Sequence, residues 1–85
     1  MIMREILLFG RLRGAFGDEP LRLPEGVHTA AELRRRLQQD HPEIAERLSP
    51  SAMKIAVNQT LVSDEDAALL SPGDEVALLP PLSGG

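Results

Sequence analysis

Thr29-Ala30-Ala31-Glu32-Leu33-Arg34-Arg35-Arg36-Leu37 is the stretch that decides the fold. Thr29 followed by Glu32 is a capping box: the hydroxyl and the carboxylate each satisfy a free N–H group at a helix start. Ala30, Leu33 and Leu37 then fall on one face at helical spacing. Arg34, Arg35 and Gln38 read as the opposite face, so the basic run Arg34-Arg35-Arg36 is expected to be solvated. Pro42 stops the helix or opens a new turn. Glu43 to Leu48, with Ile44 and Leu48 at helical spacing, predicts a second short helix ended by Ser49-Pro50.

Strand patterns lie on both sides of this helix. Arg4 to Gly10 reads as a strand with Ile6 and Leu8 on one face and Leu7 and Phe9 on the other. Both faces are apolar, so the strand is either covered twice or presents one face to a partner. Arg11 to Gly17 reads as a loop, and Leu21-Arg22-Leu23, bounded by Pro20 and Pro24, as a short hairpin partner. After the helix, Met53, Ile55 and Val57 alternate with Lys54, Ala56 and Asn58, a half-buried strand. Asn58-Gln59 supplies a turn into the very short strand Thr60-Leu61-Val62. Asp64 to Leu70 predicts about one turn of helix. Ser71-Pro72-Gly73-Asp74 has the signature of a type II turn. It leads into a last strand, Glu75 to Leu79, with Val76 and Leu78 opposite in sense to Ala77 and Leu79.

Strand, strand, helix, strand, short pieces, strand is the order of an α+β roll. It matches the β-grasp, or ubiquitin-like, arrangement: a mixed sheet of four to five strands with one main helix. That arrangement pairs the first and last strands in parallel, which the pattern alone does not dictate. The expected division is a β-grasp domain over residues 1–79 and an extended tail over 80–85.

Eighty-five residues with 42% apolar content support one modest core, built from Leu, Val, Ile and Ala. The absence of cysteine removes disulfides, thiolate metal sites and a thiol nucleophile. No apolar run reaches a membrane span and the N-terminus lacks a signal-peptide layout, so a cytoplasmic protein is expected, with no membrane partner. A net charge of -4 gives no electrostatic support for a nucleic-acid partner. His28 and His41 read as surface residues, so no metal is expected. The run Asp64-Glu65-Asp66 reads as a helix-start charge cluster without the spacing of a calcium loop.

The chain closes on Leu79-Pro80-Pro81-Leu82-Ser83-Gly84-Gly85. Glycine has no Cβ, so a Gly-Gly end is thin enough for a narrow channel. The stiff Pro80-Pro81 segment is expected to hold it away from the domain. The tail then reads as a probe bearing one reactive group, the carboxylate of Gly85. Taken by itself it fits a frayed terminus equally well.

Three stretches in order carry a family resemblance: Ala56-Val57-Asn58-Gln59-Thr60-Leu61-Val62, Pro72-Gly73-Asp74-Glu75-Val76-Ala77-Leu78-Leu79, and Pro80-Pro81-Leu82-Ser83-Gly84-Gly85. The chain resembles the MoaD family, the ubiquitin-like sulfur-carrier small subunits of molybdopterin synthase. Ile6-Leu7-Leu8-Phe9-Gly10 and Arg13 fit as well, so the likeness spans essentially the whole chain. Leu82 stands where members often carry valine, and Leu79 where an aromatic is common. Both remain apolar, although Leu79 offers less area to a partner.

The resemblance implies a sulfur carrier in molybdenum cofactor biosynthesis that is not an enzyme on its own. An ATP-dependent adenylating enzyme of the ubiquitin-activating type would activate the Gly85 carboxylate, and a sulfurtransferase would convert it to a thiocarboxylate. No cofactor would be bound by the chain itself, since the ATP is used by the activating partner. The loaded tail would give its sulfur to cyclic pyranopterin monophosphate inside the large synthase subunit, in a heterotetramer. Gly84 would keep the approach to Gly85 free of bulk.

Strand parity puts Leu7, Phe9, Ala77 and Leu79 on one sheet face, joined by Leu61, an apolar patch of the kind that meets a partner. Phe9, Leu61 and Leu79 of this face are candidate partner-binding residues, and the resemblance implies that Pro80, Pro81, Leu82 and Ser83 of the tail are bound by the partner as well. Arg11 and Arg13 are expected near the tail, where they either pair with a partner's acidic groups or stay solvated. Two other readings share these features. One is a ThiS-like carrier for thiazole synthesis or a protein modifier, and the other is a β-grasp interaction module whose tail does no chemistry.

Overall fold

The computed structural model describes residues 5–17 and 20–81. Its named elements are β1 (Leu7–Leu8), α1 (Ala30–Asp40), β2 (Lys54–Val57), β3 (Thr60–Leu61) and β4 (Val76–Leu79). A 3-10 turn, Gly10–Leu12, follows β1, and a 3-10 segment, Pro42–Leu48, follows α1. The four strands form one mixed sheet in the order β1-β4-β2-β3. β1 runs parallel to β4, while β2 is antiparallel to both β4 and β3. This is the expected α+β β-grasp roll, with β4 inside the sheet.

The capping box at Thr29 starts α1 as its residues predict. The Glu32 N–H donates to Thr29 Oγ1 at 3.1 Å, and Glu32 Oε1 accepts from the N–H groups of His28 at 2.6 Å and Thr29 at 3.3 Å. The His28 N–H, above all, holds the Glu32 carboxyl below its ordinary pKa, against a smaller opposing effect of desolvation. Two more donors of the first turn are met by the segment after β3: Ala30 N–H donates to Ala68 O at 3.0 Å and Ala31 N–H to Glu65 O at 3.1 Å.

Turn chemistry sets the strand order. Asn58 and Gln59 have φ of 52° and 69°, both left-handed, which is the backbone of a type I′ hairpin turn. Asn58 also ties this turn to the entry of β4. Its Oδ1 accepts from the Glu75 N–H at 2.9 Å and its Nδ2 donates to Asp74 Oδ1 at 3.0 Å. The turn before β4 is closed by the Asp74 N–H donating to Ser71 O at 3.0 Å, with Gly73 at φ 95°, as a type II turn requires. Ile6, Leu12, Leu33, Leu37, Leu48, Met53, Ile55, Val76 and Leu78 form the core between the sheet and α1.

Several local expectations are corrected. Arg34 is buried on α1 rather than solvated. It falls one turn after Ala30, so it shares the inward face. Its Nη1 donates to Leu48 O at 2.6 Å, its Nη2 to Met53 O at 2.9 Å, and its Nε to Glu65 Oε1 at 2.8 Å. The guanidinium thus stitches α1 to the 3-10 segment, to the start of β2 and to the segment after β3, with a carboxylate to balance its charge. Glu65 is this partner rather than part of a helix start, and 64–70 forms turns because its carbonyls face α1. The second helix is a 3-10 segment broken at Ile44 (φ -124°, ψ 22°). The loop from Arg11 opens with the 3-10 turn that buries Leu12.

The first strand is shorter than Arg4 to Gly10, with Arg4 outside the described residues. Before Leu7 it continues as a bridge between Glu5 and Arg22, beside an Ile6 N–H to Leu21 O bond of 2.7 Å. The segment Leu21-Arg22-Leu23 forms this bridge and no named strand, because Pro20 and Pro24 lack the donors that a longer ladder needs, while Leu21 and Leu23 pack against the core.

Candidate functional site: an apolar sheet face beside the base of the tail

Cross-strand register builds the outer sheet face residue by residue. Leu7 lies beside Ala77, Ala77 opposite Ala56, and Ala56 opposite Leu61. One apolar row therefore crosses all four strands. Leu79 begins the next row opposite Lys54, and Phe9 flanks it through an N–H to Leu78 O bond of 3.1 Å. The two alanines form a floor, each 6% exposed, between the taller side chains of Leu7, Phe9 and Leu61 at 39%, 46% and 46%. Phe9, Ala56, Leu61, Ala77 and Leu79, with Gln59 and Glu75, line a shallow depression of about 250 Å³. Covering what remains exposed of one such Phe or Leu side chain is worth roughly 1 kcal/mol, so the face favours an apolar partner surface.

The tail leaves the sheet at the end of β4, one residue beyond Leu79. Gly10 has φ 60°, and a Cβ built there would stand 2.8 Å from Pro80 Cγ. A glycine at the start of the 3-10 turn is thus favoured twice, by backbone sign and by the close approach of Pro80. Pro80 is half-buried and Pro81 exposed. The stiff segment therefore begins seated on the body of the domain. Around it, Arg11, Leu12, Arg47 and Ala52 line a groove with both prolines.

Phe9, Leu61, Leu79, Pro80 and Pro81 are brought together as expected: the first three surround the apolar floor and the prolines follow directly. Leu82, Ser83, Gly84 and Gly85 lie outside the described residues. Arg11 does stand at the tail base, whereas Arg13 lies with Glu5, Gly14, Gly17 and Pro20 in a different depression. Sequence reading missed Gly10 and Arg47. Arg47 carries no local signal, because its neighbour Arg11 comes from a distant part of the chain. Among the described residues, no group of three His, Cys, Asp or Glu side chains is arranged to hold a metal. His41 instead packs edge-on to Phe16, with ring centroids 4.8 Å apart.

A family model described as the ThiS family matches residues 6–85. The chain belongs to this family. The molybdopterin synthase sulfur carrier subunit of Haemophilus influenzae is 34% identical over 83 residues, covering 98% of this chain and 100% of that protein. Among solved structures, the complex of subunits 1 and 2 of molybdopterin-converting factor from Helicobacter pylori contains a chain with TM-score 0.64 and 28% identity, covering 99% of this chain and 100% of that one. The small archaeal modifier protein 1 of Methanosarcina acetivorans shares the fold, with TM-score 0.65 and 24% identity over 100% of both chains. For this ThiS-family chain, then, the apolar face and the seated proline are features of a domain whose tail comes directly from an internal strand. No helix among the described residues is long and apolar enough to cross a membrane.

Proposed function

We propose that this chain is the sulfur-carrying small subunit of a molybdopterin synthase and acts in molybdenum cofactor formation. The observation that carries the reading is the end-to-end likeness to relatives of that name. The apolar outer face supports it by offering a large subunit a surface beside the strand that launches the tail.

The chemistry follows from the Gly85 carboxylate. A carboxylate is a poor acyl donor, because its leaving group would be oxide. Attack of its oxygen on the α-phosphorus of ATP, in an adenylating enzyme, expels pyrophosphate and leaves an acyl-adenylate. The persulfide of a sulfurtransferase then attacks the acyl carbon, the C–O bond breaks as AMP departs, and a thiol cleaves the S–S bond of the resulting acyl disulfide, itself ending in a disulfide with the sulfurtransferase. The resulting thiocarboxylate carries its charge on sulfur and gives that sulfur to cyclic pyranopterin monophosphate in the large subunit. Water finally restores the Gly85 carboxylate. The carrier contributes no catalytic side chain. Gly84 and Gly85 keep both sides of the reacting carbon free of bulk, and the prolines reduce the entropy lost when the tail is ordered.

Intact mass spectrometry tests this. After incubation with ATP, the adenylating enzyme and a sulfur source, the chain is expected to gain the mass of one sulfur-for-oxygen exchange. The variant lacking Gly85 is expected to keep its thermal stability and gain nothing. An unchanged mass for the intact chain, with an enzyme that loads another carrier, would sink the reading. Molybdopterin formed when the loaded chain meets the large subunit separates this role from thiazole synthesis.

A further inference from the structure

The groove at the tail base combines features that the apolar face does not explain. Arg11 belongs to the 3-10 turn Gly10–Leu12 and Arg47 to the 3-10 segment Pro42–Leu48. They meet because Arg47 Nη2 donates to the Arg11 carbonyl at 3.2 Å. Both side chains are exposed, and among the described residues neither guanidinium takes part in an ion pair. Among the described residues no carboxylate lines the groove, whose other walls are Leu12, Ala52, Pro80 and Pro81. Two like charges are therefore gathered beside the tail in a chain whose net charge is -4. Arg36, exposed on α1, is by contrast balanced by Asp40.

Position decides the occupant. Pro80 and Pro81 form one wall, so whatever grips the tail passes over this groove. The groove also lies at the same end of β4 as Phe9 and Leu79, with Pro80 directly following Leu79 in the chain. We propose that Arg11 and Arg47 receive a carboxylate-bearing segment of the large synthase subunit. They form an electrostatic latch that orients the tail while the apolar face supplies most of the buried area. The planar guanidinium forks suit carboxylate oxygens, and a partly desolvated pair of this kind acts on both affinity and encounter rate. The inference rests on the reading of the chain as a synthase small subunit.

The test is a titration of the large subunit with full-length chain at low and high salt. The variant Arg11→Glu/Arg47→Glu is expected to bind about tenfold more weakly at low salt, and its affinity is expected to lose most of its salt dependence. Arg35→Glu/Arg36→Glu changes the net charge equally on the exposed side of α1 and is expected to bind as the unmodified chain does. Arg11→Gln/Arg47→Gln, which keeps a donor for the Arg11 carbonyl, is expected to fall between. Thermal melting of each variant checks the fold. Unchanged affinity and salt dependence in the reversed pair would overturn the latch and leave the carrier role standing. Equal weakening in the α1 variant would overturn it too, by showing an effect of total charge. If the unmodified chain failed to bind the large subunit at all, the functional reading would fall and the latch with it.

Discussion

The inner and outer faces of the sheet are made by alternate residues of the same strands, yet they meet different surroundings. Ile6, Ile55, Val76 and Leu78 point inward and are buried against α1 and its neighbours. Leu7, Phe9, Leu61 and Leu79 point outward, and the first three remain exposed. Both sets are apolar. Period-two alternation therefore tells which residues share a face but not what covers it. The inner face is covered by the chain's own helix. On the outer face no element among the described residues covers Leu7, Phe9 and Leu61, and the proposed function gives that role to the large subunit.

The contrast predicts opposite responses to substitution. The largest loss of stability is expected on the inner face, where Leu78→Ala leaves a cavity at a fully buried position and costs about 2–5 kcal/mol in urea unfolding. A loss under about 1 kcal/mol would mean that the inner face is not the continuous core described. Next comes Arg34→Met. It keeps the packing of the side-chain stem but strips a donor from each of Leu48 O and Met53 O and frees Glu65. About 1–3 kcal/mol is expected in the same measurement. A neutral or stabilising result would show that the buried guanidinium is dispensable to the core. The smallest effect on stability is expected outside. Phe9→Asp should shift unfolding by no more than about 0.5 kcal/mol while weakening large-subunit binding by about 2 kcal/mol or more in calorimetry. Equal losses of stability from Phe9→Asp and Leu78→Ala would erase the distinction between the faces.

Much of this was legible in the residues themselves. The capping box, the inward set Ala30, Leu33 and Leu37, the Asn58-Gln59 turn and the Pro72-Gly73 turn each rest on local geometry, which sequence spells out. The outward parity of Phe9 and Leu61 was legible for the same reason. Arg34 was misread because charge was weighed above position: its place one turn after Ala30 already pointed it inward. The turns of 64–70 were not legible, because they depend on Glu65 and Ala68 lending their carbonyls to a helix distant in sequence. Nor was Arg47, whose role arises from contact between two 3-10 segments that no spacing links.

The Gly10–Pro80 contact has a metric consequence. Five residues run from Pro81 to Gly85, and a fully extended chain of that length reaches at most about 18 Å beyond the seated Pro80. On the carrier reading proposed above, a receptor for the Gly85 carbonyl carbon is expected to hold its reacting groups within that radius of Pro80, however deep its channel. A substituent at residue 10 that pushed Pro80 aside would move the origin of this measuring rod and leave the graduations themselves unchanged.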